Sequence, residues 1–178
     1  FPGNAFLSFQ RVLKALAERG IALVICSKND EDLALEAIEK LPAMQFRLAD
    51  IAAYRVNWQE KWSNLPDIAA ELNLGIESFL FIDDNPVERE AMRRNLPGVK
   101  VLDLPDDPAA YAETLLASPW LCVAEVTPED RKRVQSYKVR RQVEQQRGAA
   151  ASLEDFYASL KMKLYLQPLA EDNIARAA

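Results

Sequence analysis

The chain has 178 residues, about half of them apolar, with a net charge of −5, two cysteines and no histidine. That is material for one full α/β-sized core and part of a second unit, and the acidic balance argues against a nucleic-acid partner. Without histidine, Ser-His-Asp and Cys-His catalysis and histidine-bound zinc are excluded from this chain, and no apolar run nears the ~20 residues of a membrane-spanning helix.

The opening Phe1-Pro2-Gly3-Asn4 lacks the basic start of a signal peptide. A first residue other than methionine suggests that the chain begins within a longer protein. Cys26 and Cys122 lie in apolar stretches, as reduced thiols of a cytoplasmic protein would.

Phe6, Phe9, Val12, Leu13 and Leu16 recur at helical spacing, and Gly20 is a natural stop. The apolar run Ile21–Cys26 predicts a strand buried on both faces. A helix follows from Asn29 or Asp30 to Lys40, with Leu33, Leu35, Ala37, Ile38 and Leu41 as its apolar set. Residues 42–57 form a connector with short strands at Phe46–Leu48 and Tyr54–Val56. The spacing of Trp58, Trp62, Leu65, Ile68 and Leu72 predicts a helix over 58–72, with Pro66 as a point of kinking and Gly75 past its end. Phe79–Ile82 reads as a second buried strand, Pro86 as the first turn of a helix, Val99–Leu102 as a third strand and Asp107–Leu116 as a helix.

After Trp120 the character changes. Thr127-Pro128-Glu129-Asp130 has the form of a helix start, and the polar stretch to Arg147 carries seven basic residues. Ser152-Leu153-Glu154-Asp155 starts another helix by the same capping logic, Met162–Leu166 reads as a strand, and a further helix begins near Glu171. The expected organisation is an α/β domain over 1–125, a polar connecting helix over 126–150, and the opening of a second α/β domain over 151–178. Alternating strands and helices imply a doubly wound parallel sheet of Rossmann type, in which ligands bind beyond the carboxyl ends of the strands.

The polar groups collect at those ends. Asp83 and Asp84 follow the strand FLFI. Adjacent carboxylates repel unless a cation or hydrogen-bond donors neutralise them, and hard oxygen ligands suit Mg²⁺, which completes its shell with water and phosphate oxygens. The pair would otherwise cap the turn and the helix beginning at Pro86. Ser27, Lys28 and Asn29 follow the first strand, where a hydroxyl before a helix N-terminus binds phosphate or simply caps the helix. Lys61 lies near a helix start, where its charge opposes the helix dipole unless an anion is near.

The order Ser27, Lys61, Asp83-Asp84 resembles motifs two, three and four of the haloacid dehalogenase (HAD) phosphohydrolase superfamily. The strings ERGIALVICSKND, Trp58-Gln59-Glu60-Lys61 and FLFIDDNPVERE are similar to its FkbH-like family. Residues 127–131 with Tyr137 resemble the segment behind that family's HAD domain, and 153–178 the start of the acetyltransferase-like domain that often follows. The resemblance implies a HAD-like fold in which Ser27, Lys28, Asn29 and Lys61 grip a phosphoryl group and Asp83 and Asp84 help to hold Mg²⁺. It implies transfer of a glyceryl unit from 1,3-bisphosphoglycerate, with loss of phosphate, to an acyl carrier protein for polyketide or related biosynthesis. The transfer would pass through an enzyme-bound thioester, for which Cys26 is the first candidate thiol and Cys122 a weaker one. A simpler HAD phosphatase of a small phosphometabolite and a non-catalytic interaction domain are the alternatives. The family's DxDxT motif, whose first aspartate is the nucleophile, does not occur in the chain; it is expected on a strand ahead of Phe1. Trp58 and Trp62 read as core residues, and the basic residues of 131–147 as a solvated face or a docking surface for an acidic carrier protein.

Overall fold

The computed structural model of the protein describes residues 2–121, 135–137, 139, 143, 147 and 152–159. The chain forms two units, 1–141 and 142–178. In the first, helix α1 (Pro2–Glu18) stops where glycine permits it: Gly20 takes φ 95°, a left-handed conformation that costs a residue without a Cβ little. Strands β1 (Leu23–Ser27) and β2 (Ile51–Val56) pair in parallel, Val24 beside Ala53 and Ser27 beside Val56. Strands β3 (Leu80–Ile82) and β4 (Lys100–Leu102) also pair in parallel, Phe81 beside Val101. Parallel neighbours need a crossover connection. Helix α2 (Glu31–Lys40) supplies it for the first pair and α4 (Pro86–Asn95) for the second.

Strand alternation sorts the core into two layers. On one face of β3 and β4, Phe81 and Val101 join a cluster with Ala52 and Ala53 of β2, Met92 of α4, and Leu65, Ile68 and Leu72 of α3 (Lys61–Leu72). Leu102 packs on the other face with Leu16 of α1 and Tyr111 and Leu115 of α5 (Tyr111–Leu116), and Leu80, Ile82 and Phe9 lie against that cluster. Phe6 and Phe9 meet the Tyr111 ring edge-on, with centroids 6.1 and 6.0 Å apart. Helices therefore cover both faces of parallel strands, as the alternation of apolar runs implied.

The strands nonetheless form two separate two-stranded sheets, β1–β2 and β3–β4. A cavity of about 670 Å³ lies between them, walled by Val24 and Cys26 of β1, Phe81 and Ile82 of β3, Leu13 of α1 and Leu65 of α3. This cavity explains why β1 is half-buried along its whole length and not buried on both faces as its apolar run suggested.

Other elements depart from expectation for local reasons. The Phe46–Leu48 strand is absent; a 3-10 turn over Leu48–Asp50 leads into β2, tied by the Asp50 carboxylate accepting from the Arg47 amide at 2.9 Å. Helix α3 starts at Lys61, not Trp58, because the side chain of Asn57 accepts from the Gln59 amide and from the Asn64 amide group and holds 57–60 as a loop. Trp58 is then 75% exposed, so it is not a core residue. The left-handed residue past α3 is Asn73, not Gly75. Pro66 sits inside α3 without ending it. Leu33 of α2 is 64% exposed, and Ile38 is the residue of that helix that reaches the core. The expected helix over Asp107–Leu116 divides into a 3-10 turn at Pro108–Ala110, capped by Asp107, and α5.

In the second unit a helix spans Leu153–Ser159, and Ser152 caps it as expected, its hydroxyl accepting from the Asp155 amide at 3.0 Å. Cys122, the Thr127–Asp130 helix start, the Met162–Leu166 strand and the helix near Glu171 lie outside the described residues. Among the described residues no helix is long and apolar enough to cross a membrane.

Candidate active site

The carboxyl ends of β1 and β3, the loop after β2 and the first turns of α3 and α4 converge. Asp83 follows β3 and is 9% exposed. Its Oδ2 lies 2.5 Å from Nζ of Lys61, the first residue of α3, and its Oδ1 accepts from the Asn85 amide at 3.0 Å. The Lys61 ammonium at a helix N-terminus is unfavourable by itself; the Asp83 carboxylate supplies the missing anion. Asn85 caps α4 by accepting from the Val87 amide at 2.9 Å, with Pro86 at the first helical position. The capping role that the sequence offered to Asp84 thus falls to Asn85, and Asp84 is exposed. Arg89, one turn into α4, donates to the carbonyls of both Asp83 and Asp84, at 2.8 and 2.9 Å. It fixes the turn that carries the two carboxylates.

Ser27 ends β1, and its carbonyl accepts from the Asn57 amide at 3.0 Å, joining that strand end to the loop that leads to Lys61. Asn29 is occupied locally: its side-chain oxygen accepts from the Asp30 amide at 2.8 Å, and Asp30 caps α2. Lys28 reaches across the strand ends to Glu60 and Glu88, 2.9 Å from each. Asn57 and Asn64 exchange amide hydrogen bonds at 3.1 and 2.9 Å, and Asn64 is 2% exposed. That pair pins the loop on which Lys61 stands.

Cys26 points to the opposite face of β1 from Ser27, as strand alternation requires. Its Sγ donates to the Lys61 carbonyl at 3.4 Å. Burial pushes the thiol up from 9.0 to about 11, and the nearby Lys61 ammonium only partly offsets it. A nucleophilic cysteine needs the reverse shift, so this environment weighs against Cys26 as the acyl-carrying thiol. Iodoacetamide at pH 8 is expected to alkylate Cys26 in the folded protein about a hundredfold more slowly than in urea, following the thiolate fraction. Because the folded thiol keeps its proton where the unfolded one has lost it, stability is expected to fall between about pH 9 and pH 11. Quantitative mass spectrometry and urea melts check the two.

Sequence reasoning brought forward Cys26, Ser27, Lys28, Asn29, Lys61, Asp83 and Asp84; Ser27, Lys28, Lys61, Asp83 and Asp84 lie together at the strand ends, the Asn29 side chain is engaged by the Asp30 amide, and Cys26 faces the other side of β1. That reasoning missed Glu60, Asn64, Glu88 and Arg89. A weak signal existed for two of them: Glu88 and Arg89 fall in the first turns of a helix that begins at the acidic pair. Nothing in the local sequence marks Asn64.

A hard cation has suitable donors here. Asp83 and Asp84 are adjacent carboxylates beside a pinned backbone turn, the kind of partial oxygen set that Mg²⁺ completes with water and phosphate. Among the described residues no three histidine, cysteine, aspartate or glutamate side chains are grouped so as to hold a metal ion.

A solved structure shares this architecture. The crystal structure of the N-terminal part of the protein BF1531 from Bacteroides fragilis, which contains a phosphatase domain and is complexed with Mg, is 46% identical over a match covering 63% of this chain, with a TM-score of 0.61. The match spans 30% of that structure's chain. No family model matches the chain, and no curated protein does. The likeness supports an α/β phosphatase-type fold with parallel strands.

Proposed function

We propose that this chain is the phosphoryl-handling part of a HAD-type, Mg²⁺-dependent enzyme acting on a small phosphorylated metabolite. The observation that carries it is the Lys61–Asp83 pair at the carboxyl ends of the strands, beside Asp84 and Ser27. An ammonium and a carboxylate held 2.5 Å apart can serve two charges at once: Lys61 would balance a phosphoryl oxygen, and Asp83 with Asp84 would hold Mg²⁺. When bound, the metal supplies Lewis-acid polarisation of the phosphoryl group. The side chains of this chain orient that group and balance its charge, with the Ser27 hydroxyl as a further donor.

The cavity between β1 and β3 supports a further element of the reading. Both strands present edges to it, and α1 runs over it into β1. A strand placed ahead of α1, parallel to β1, would complete a right-handed βαβ unit and join the two sheets. Its carboxyl end would reach the Lys61–Asp83 corner, where the HAD resemblance puts the nucleophilic aspartate.

The finer proposal is glyceryl transfer from 1,3-bisphosphoglycerate to an acyl carrier protein, on the strength of the FkbH-like strings. The raised Cys26 thiol favours a plain phosphatase as the second reading, or an acyl-carrying thiol elsewhere. The full native protein, incubated with Mg²⁺, 1,3-bisphosphoglycerate and a carrier protein, separates them. A glyceryl-sized mass increase on the carrier, labile to hydroxylamine, supports transfer. Phosphate release without the adduct supports the phosphatase. If neither product forms from intact substrate, 1,3-bisphosphoglycerate is not the substrate and the glyceryl-transfer proposal falls.

A further inference from the structure

Lys28 was expected to grip phosphate, yet its surroundings suit a different task. Its Nζ lies 2.9 Å from Glu60 Oε2 and 2.9 Å from Glu88 Oε1. Glu60 immediately precedes Lys61 and is the N-terminal cap position of α3. Glu88 stands in the first turn of α4, just past the Asp83-Asp84-Asn85 turn. One ammonium therefore joins the end of β1 to the two backbone segments that carry the partners of the Lys61–Asp83 pair. A phosphoryl group approaching Lys28 would have to displace two carboxylates, and the cluster of one lysine and two glutamates is already net negative.

Glu88 makes this tie more than a surface ion pair. The residue is 9% exposed, and its Oε2 is buried without a hydrogen-bond partner among the described residues. Among the described residues the Lys28 ammonium, its side chain 28% exposed, is the cation paired with this carboxylate, so deleting Lys28 alone leaves Glu88 buried without a counter-charge. Glu88 first, and then Glu60, also hold the Lys28 ammonium above its ordinary value, so it stays charged at neutral pH.

We infer that Lys28 is a positioning residue of the phosphoryl site, not a phosphate ligand: by tying Glu60 to Glu88 it holds Lys61 against Asp83. The inference rests on the phosphoryl-handling reading above.

A charge-deletion cycle in the full native protein tests it, using Lys28→Met, Lys28→Arg, Glu88→Gln and the double variant Lys28→Met/Glu88→Gln. Two quantities are measured: the thermal midpoint, and the affinity for orthophosphate in the presence of Mg²⁺ by calorimetry. Lys28→Met is expected to lower the midpoint and weaken orthophosphate about tenfold, because it leaves Glu88 buried and uncompensated. Glu88→Gln, which breaks the same tie but leaves the Lys28 ammonium in place, should weaken orthophosphate to a similar degree; the double variant should bind it within about threefold of Lys28→Met while regaining part of the midpoint, because no uncompensated carboxylate remains. Lys28→Arg should recover most of the loss, since a guanidinium fork also spans two carboxylates. If Glu88→Gln binds orthophosphate as well as or better than the wild type while Lys28→Met binds it weakly, Lys28 is a direct ligand and the inference falls. It falls equally if Lys28→Met changes neither quantity. Should the wild type bind no orthophosphate at all, the phosphoryl-handling reading fails on its own account. The tie is then judged by the midpoints: non-additive effects uphold it, additive ones overturn it.

Discussion

Replacing Asp83 with asparagine is expected to reduce Mg²⁺-dependent phosphate release by more than about a hundredfold, since groups one step removed from a metal already cost 10- to 100-fold when changed. Asparagine keeps the shape of the side chain and an oxygen that can still accept from the Asn85 amide, now at 3.0 Å from Oδ1. The turn therefore persists while the negative charge is lost. On the proposed reading that loss removes a hard anionic donor for Mg²⁺, and it leaves the Lys61 ammonium, whose side chain is 16% exposed, without the carboxylate beside it. Breaking a largely buried pair from one side costs about 3 kcal/mol, so the midpoint in a urea melt should fall as well. Asp83→Ala should be worse than Asp83→Asn in the melt, because the Asn85 amide then loses its acceptor too. Steady-state phosphate release with a verified substrate, and urea melts of both variants, are the measurements. Activity within tenfold of the wild type in Asp83→Asn would remove Asp83 from the metal site.

Lys61→Met is expected to act in opposite directions on two observables. Phosphate release should fall by about a hundredfold or more, the usual effect of deleting one preorganised charge-stabilising donor. Mg²⁺ binding without substrate should instead become about tenfold tighter, because the Asp83 carboxylate no longer has a lysine 2.5 Å away competing for it. The same substitution leaves Asp83 buried and anionic, so the metal-free variant should melt earlier and regain more stability from added Mg²⁺ than the wild type does. Calorimetric Mg²⁺ titration and melts with and without the metal read this directly. A variant that loses Mg²⁺ affinity would show that Lys61 shapes the metal site and does not compete with it. Combining Lys61→Met with Asp83→Asn should cost less stability than the two single changes added together, as for any pair that acts through one contact.

The sequence by itself determined the elements whose cause is local. The runs LVIC and LFI are strands because short β-branched and aromatic stretches suit a buried pleated surface, and both appear in β1 and β3. Asp30 and Pro86 mark helix starts because capping and a fixed φ act within a few residues, and α2 and α4 begin there. The acidic pair at a strand end and the lysine at a helix start were visible for the same reason, and so was the order that suggested phosphoryl chemistry.

Only the tertiary structure decided what depends on residues far apart in the chain. Trp58 carries the periodicity of a core residue, but a side-chain contact between Asn57 and Asn64 starts the helix three residues later and leaves the indole exposed. The strand sequences say parallel; they do not say that β1 and β3 stand on either side of a cavity. How firmly the Cys26 thiol keeps its proton depends on burial and on the nearby Lys61 ammonium, neither of which its strand sequence states. That Lys28 meets Glu60 and Glu88 follows from the two arriving together from separate stretches of sequence. A local string can state which charges are available, but which charge meets which is set by the packing of the strands and helices that carry them.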